Sequence, residues 1–150
     1  MIQGKWFSPE ETCPEEFREI RKKVFGYGFD ANDAVSWKAV LYDDGIPAAI
    51  GRIWWEDGSY RLGDIGVLPE QRRRGLGDLA LRLLLYKAQN HFAREVRLFC
   101  SKDTEAFFER LGLQTVNRQN GKTEMMIAGE NINLDSCKSC PKTDCLNRKI

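Results

Sequence analysis

The chain has 150 residues, which by length is one domain with enough material for a buried core. Lys and Arg number 23 against 22 Asp and Glu, and the formal net charge of +1 excludes a global field drawing the protein to nucleic acid or an acidic membrane. No apolar run reaches a membrane span, and the start MIQGKWFSPE lacks the basic end and apolar core of a signal peptide, so a cytoplasmic protein is expected.

Gly4 to Ser8 reads as a short aromatic first strand. Ser8-Pro9-Glu10-Glu11 and Thr12-Cys13-Pro14-Glu15 both fit a capping box, and the cost of Pro14 inside a helix favours the second as the start. Phe17, Ile20 and Val24 then recur at helical spacing to about Phe25, and Gly26-Tyr27-Gly28 ends the run. Phe29 to Ala34 has no periodicity and is expected to be loop.

Three apolar runs follow, around Trp37 to Leu41, Ile46 to Trp55 and Leu62 to Val67, separated by Asp44-Gly45 and Asp57-Gly58. Two Asp-Gly signals between alternating strands predict an antiparallel meander. Pro47 belongs near a strand start or at a free edge, and Trp54 and Trp55 should point to opposite faces, one of them into the core.

After the third strand come Pro69, Glu70, the basic run Arg72, Arg73 and Arg74, and the pair Gly75 and Gly77. A helix starts there with Leu76, Leu79, Ala80, Leu83 and Leu84 on one face. A strand passing through exposed amides into a helix N-terminus is an anion site, favoured by the helix dipole and the arginines. The missing side chains of the two glycines let the backbone approach a ligand closely.

His91, the only histidine, is expected to face solvent near the end of this helix. Val96 to Cys100 is a further strand, reached by a right-handed crossover if parallel to the third of the meander. Ser101 or Asp103 can cap a short helix from about Thr104 to Leu111, with Gly112 after its end. Asn120-Gly121 predicts a closing hairpin, Leu113 to Asn117 paired with Glu124 to Ala128. Paired strands with one βαβ crossover define a mixed α+β sheet.

Gly75-Leu76-Gly77-Asp78-Leu79-Ala80 also satisfies the dinucleotide pattern G-x-G-x-x-A, with Glu95 at the nominal distance for a ribose ligand. Leu68 to Arg74 intervene between strand and glycine, antiparallel strands precede the motif, and too little chain follows for a second half. No Gly-Lys-Ser/Thr supports a P-loop. One short basic loop without an aromatic platform also argues against RNA.

Arg72-Arg73-Arg74-Gly75-Leu76-Gly77 resembles the R/Q-x-x-G-x-G/A acyl-CoA motif of the GNAT N-acetyltransferase superfamily. Val67-Leu68-Pro69-Glu70 before it and Ala106-Phe107-Phe108-Glu109-Arg110-Leu111-Gly112-Leu113 after it resemble further segments of that family, over about residues 4 to 129. The resemblance implies a mixed, mostly antiparallel sheet flanked by helices with a βαβ acyl-CoA core. It divides the chain into a domain over 1–129 and a cysteine-bearing tail over 130–150.

The implied reaction is transfer of acetyl from acetyl-CoA to a primary amine on a small molecule or peptide. Val67, Arg72, Arg73, Arg74, Gly75, Leu76, Gly77, Asp78, Ser101 and Phe108 are the implied coenzyme contacts, with a backbone N–H near Val67 facing the thioester oxygen. Asp64, the only carboxylate inside the third meander strand, is either a base or amine binder, or a rim residue neutralised by Arg61 or Arg52. Glu70 is expected to be structural or an arginine partner. Phe108 stands where the family usually has a tyrosine that protonates the leaving thiolate. A phenyl ring cannot donate that proton, which keeps open a non-catalytic acyl-CoA-binding or metal- or redox-sensing protein.

Five cysteines without a secretory context argue against a disulfide framework. Cys137, Cys140 and Cys145 read either as a partial zinc-type ligand set, whose fourth member would be Cys13, Cys100, His91 or a residue of a second subunit in a homodimer, or as reducible thiols on a flexible tail.

Overall fold

The computed structural model describes residues 1–134. Among these residues seven strands lie in one sheet: β1 (Ile2–Phe7), β2 (Trp37–Asp43), β3 (Ile46–Glu56), β4 (Ser59–Val67), β5 (Glu95–Cys100), β6 (Gln114–Gln119) and β7 (Lys122–Ala128), in the order β1-β2-β3-β4-β5-β7-β6. Every neighbouring pair is antiparallel except β4 and β5. Helix α1 (Glu15–Phe25) follows β1, α2 (Leu76–Asn90) makes the β4–β5 crossover, and the short α3 (Glu105–Glu109) precedes β6. The mixed α+β sheet expected from the sequence is therefore present, and among the described residues no helix is long and apolar enough to cross a membrane.

The turns form where the Asp-Gly and Asn-Gly pairs stand. Asp44 and Gly45, Asp57 and Gly58, and Asn120 and Gly121 all have positive φ, the backbone that a two-residue hairpin of the favoured hand requires. Pro47 lies one residue inside β3, beside an irregularity between Leu41 and Tyr42 on β2.

Strand alternation sends one set of side chains to each helix layer. Phe17 and Ile20 of α1 pack on Val40, Tyr42, Ile50 and Leu68. On the other face Leu81, Leu84, Leu85 and Ala88 of α2 meet Ile53, Leu62, Val96 and Leu98. The buried stripe of α2 is broader than the sequence pattern: Leu76, Ala80 and Leu84 face the sheet as expected, but Leu81, Leu85 and Ala88 join them while Leu79 and Leu83 are only part-buried. The cause is the close seat of the helix. A Cβ on Gly51 would stand 2.9 Å from Leu84 Cδ1, and a helix this near the sheet buries a wider arc.

Neither capping box starts α1. Pro14 is its N-cap residue without a side-chain cap, and the Ser8 amide donates to Glu11 Oε2 at 2.6 Å in a separate turn. Gly26, at φ +84, closes the helix as expected. Most of the loop expected over Phe29 to Ala34 is instead part of a 3₁₀ turn, Ala31–Val35, with a capping box between Asp30 and Asp33. Neither tryptophan enters the core: Trp54 lies under the Arg52 guanidinium, 4.7 Å from its ring centre, and Trp55 is exposed against Tyr60.

The core continues past Ala128. Gly129 donates its N–H to the Arg94 carbonyl at 2.8 Å, and a Cβ there would stand 1.8 Å from the Ala93 oxygen. Ile132 is buried, and Leu134 packs beside it.

Candidate active site

β4 and β5 pair only at Tyr60 with Val96, Arg61 with Arg97 and Leu62 with Leu98, and beyond that point they diverge. The two strand ends then bound a cleft of about 680 Å³, within the usual range of ligand sites. Gly63 to Val67 form one wall and Leu98 to Ser101 the other, with Phe107 and Phe108 at the base and Phe25 at the α1 side. A second cavity of about 410 Å³ is lined by Arg72, Arg73, Gly75, Leu76 and Gly77, together with Arg110. Val67, Arg72, Gly77 and Phe107 line both, so cleft and cradle are continuous.

The cradle is built by backbone. Gly75 takes φ +76 as the N-cap residue of α2, a conformation that favours glycine. The amides of Leu76, Gly77 and Asp78 precede the first residue able to receive an intrahelical acceptor, and they carry the positive end of the helix dipole. A Cβ on Gly77 would lie 3.6 Å from both Val67 Cγ2 and Phe107 Cζ, so its absence leaves room where the two cavities join. The helix end offers donors to an anion, and the cleft continuous with it has room for an apolar arm attached to that anion.

The three arginines divide. Arg72 donates from Nε to the Val67 carbonyl at 3.1 Å and lines both cavities, while Arg73, at φ +68, lines the cradle. Arg74 turns away, paired with Asp43 of β2 and donating to Gln71 Oε1 at 2.7 Å. The Leu76 side chain is core, leaving its amide to the cradle, and the Asp78 carboxylate accepts from Arg82 at 2.7 Å. Arg110 is not singled out by the sequence, where its segment signals the short helix and the family resemblance but no anion contact. Its guanidinium lies 5.5 Å from the Phe107 ring centre, at the edge of the cradle.

Val67 is the last residue of β4. The Leu68 N–H reaches the Ala48 carbonyl of β3 at 3.0 Å, so by strand alternation the Val67 N–H and C=O point to the cleft. Upstream, Asp64 lines the cleft wall but is paired with Arg21 at 3.1 Å and Arg52 at 2.8 Å and accepts from the Tyr27 hydroxyl. Of the two arginines named from sequence as its partners, Arg52 is present. Arg61 instead pairs with Glu124 of β7 at 3.5 Å, and Arg21 of α1 takes its place. Burial and the Asp64 carboxylate push the Tyr27 hydroxyl up to about 12, so it stays protonated as a donor.

Ser101 lies at the cleft mouth and its carbonyl accepts from Thr104 Oγ1 at 3.0 Å, which makes it the start of the turn before α3. Phe108 is 8% exposed, edge-on to Phe107, and closes the cleft floor. Glu70 is exposed in the turn after β4. His91 is exposed at the α2 terminus beside Tyr60 and Trp37, away from the cleft. Cys137, Cys140 and Cys145 lie outside the described residues, and among the described residues no group of three His, Cys, Asp or Glu could hold a metal.

The family model described as Acetyltransferase (GNAT) family matches residues 3–113. The chain belongs to the GNAT acetyltransferase family. Solved GNAT-type structures share its fold. An acyl-CoA N-acyltransferase from Pseudomonas aeruginosa superposes with a TM-score of 0.76 at 18% identity, over 85% of this chain and 100% of that one. A GNAT family acetyltransferase from Elizabethkingia anophelis with acetyl-CoA bound gives 0.71 at 10% identity, over 85% and 97%. The PaiA N-acetyltransferase from Thermoplasma acidophilum in complex with coenzyme A gives 0.68 at 11%, over 85% and 99%. No curated protein sequence matches the chain significantly.

Proposed function

We propose that this GNAT protein transfers acetyl from acetyl-CoA to a primary amine. The observation that carries the reading is the continuity of the β4–β5 cleft with the glycine and arginine cradle at Val67, Arg72 and Gly77. The pyrophosphate would sit on the amides of Leu76, Gly77 and Asp78 with Arg72, Arg73 and Arg110 around it, where charge-assisted hydrogen bonds are strong. The pantetheine arm would run along Val67 and over Phe107. The Val67 N–H would then face the thioester oxygen as charge develops on it.

The unprotonated amine nitrogen attacks the thioester carbon, the C–S bond breaks, the nitrogen gives up a proton to water and the thiolate takes one. Phe108 has no proton to give. A thiolate is a good enough leaving group for solvent in the open cleft to serve. The same Phe108 favours a second reading, a protein that binds acyl-CoA without turning it over.

Release of free CoA thiol from acetyl-CoA, followed across a panel of amines, separates the two. Turnover above the no-enzyme rate with at least one amine supports the enzyme. Acetyl-CoA binding without turnover on any of them leaves the binder.

A further inference from the structure

Opposite Gly51 the β3–β4 ladder slips by one residue: Ile50 faces Gly66 and Arg52 faces Gly63, so β4 carries a bulge. Asp64 is the bulged residue, at φ +52, a left-handed conformation that aspartate tolerates better than most side chains. The bulge stands where β4 leaves β5 and opens the cleft.

The Asp64 carboxylate is held on several sides. Arg21 of α1, fully buried, reaches it at 3.1 Å and grips Asp33 with both terminal nitrogens, at 2.8 and 2.7 Å, and the Gly28 carbonyl at 2.8 Å. Arg52 of β3, 5% exposed, reaches Asp64 at 2.8 Å and Asp33 at 3.2 Å, and pairs also with Asp30. Tyr27 donates to the other carboxylate oxygen. Lys38 of β2 backs the group, bonded to the carbonyls of Asp33 and Ser36 at 2.8 and 3.0 Å. A clamp thus joins α1, the 3₁₀ turn, β2 and β3 to one bulged residue of β4.

We infer that Asp64 is a positioning residue whose clamp fixes the β4 bulge, and thereby the direction in which the Val67 N–H meets the thioester, and that it does not receive the acceptor's proton. This rests on the acyltransferase reading. Both carboxylate oxygens are already engaged by Arg21, Arg52 and Tyr27, and accepting a proton would leave two buried guanidinium groups short of a counter-charge. The ammonium therefore loses its proton to water and the free amine attacks the thioester carbon. As the C–S bond breaks, the now cationic nitrogen gives its second proton to water and the departing thiolate takes one from solvent. Rate then follows the acceptor's own ionisation and favours weakly basic amines. An α-amino group, with a pKa of about 8, is unprotonated at neutral pH far more than a lysine side chain at about 10.4.

The test is the pH dependence of kcat/KM for wild-type protein with acceptors of different basicity, after acetyl-CoA binding has been measured by calorimetry. The expected result is a rise whose midpoint moves with the acceptor, from about 8 for an α-amine to about 10.4 for a lysine analogue. Asp64→Asn, which also tolerates a left-handed backbone, removes the counter-charge of Arg21 and Arg52. It should lower kcat by less than about 10²-fold at every pH while leaving the midpoints where they are, and an unchanged kcat would overturn the positioning role. An inflection at one pH shared by all acceptors and lost in Asp64→Asn, together with a fall of about 10²-fold or more in kcat, would identify Asp64 as the base and overturn the inference. If Asp64→Asn does not fold, the shared inflection in wild type alone overturns it. Absence of turnover with every amine removes the acyltransferase reading, and the inference with it.

Discussion

Val67 Cγ2 stands 3.6 Å from the place a Cβ on Gly77 would occupy, so the strand wall of the cleft and the first turn of α2 meet at one point. A methyl group fits there at ordinary contact distance, whereas a larger side chain must extend into the junction of the two cavities. Gly77→Ala should fold and bind acetyl-CoA nearly as wild type. Gly77→Leu should keep its thermal midpoint and lose at least about tenfold in affinity, since each lost charge-assisted hydrogen bond is worth about 1.5–3 kcal/mol. Calorimetric titration of both variants checks this, and equal affinities would move the site elsewhere.

The arginine run offers an internal control. Arg72 and Arg110 line the cradle, while Arg74 is held by Asp43 and Gln71. Arg72→Ala and Arg110→Ala should each weaken acetyl-CoA binding by about 10-fold or more and flatten its salt dependence, whereas Arg74→Ala should leave binding close to wild type. A larger loss for Arg74→Ala than for Arg72→Ala would contradict this division.

Glu105 accepts from Arg118 at 2.7 and 3.1 Å and from Thr123 at 2.5 Å, and these donors hold its carboxyl down from 4.5 to about 2. A depressed carboxylate stabilises the fold above its unfolded value and loses that contribution as pH falls through the folded one. Thermal stability should therefore decline between pH 4.5 and about 2, with a shallower decline in Glu105→Gln. Parallel slopes over that window would remove Glu105 as a source of acid sensitivity.

Gly129 admits no side chain without movement of the Ala93 carbonyl. Gly129→Ala should lose about 1–3 kcal/mol in urea unfolding, the usual cost of overpacking, with acetyl-CoA affinity unchanged in the folded protein. A neutral substitution would show that the Ala93 turn yields freely.

Phe108 lines the cleft, and under the proposed function a tyrosine at this position would offer its hydroxyl to the leaving sulfur. Phe108→Tyr should raise kcat without changing acetyl-CoA affinity, if protonation of the thiolate limits turnover. Lower kcat with unchanged binding would place another step in control.

Much of this architecture was legible because local chemistry dictates it. Asp44-Gly45, Asp57-Gly58 and Asn120-Gly121 each demand positive φ in sequence and have it in space. The Arg72–Gly77 loop was legible for the same reason, since glycines and a helix start are neighbours along the chain. The Asp64 clamp was only half legible: Arg52 was named, but Arg21 lies 43 residues away and is brought in by α1 packing across the sheet. Arg110 and the outward turn of Arg74 depend likewise on contacts between distant elements, and the breadth of the α2 stripe on how closely the helix seats at Gly51.

Calorimetric titration of the chain with acetyl-CoA tests the coenzyme site itself. One-to-one binding, reduced by Gly77→Leu and by Arg72→Ala, is the expected result. Absence of heat at millimolar acetyl-CoA from folded protein would contradict the coenzyme site.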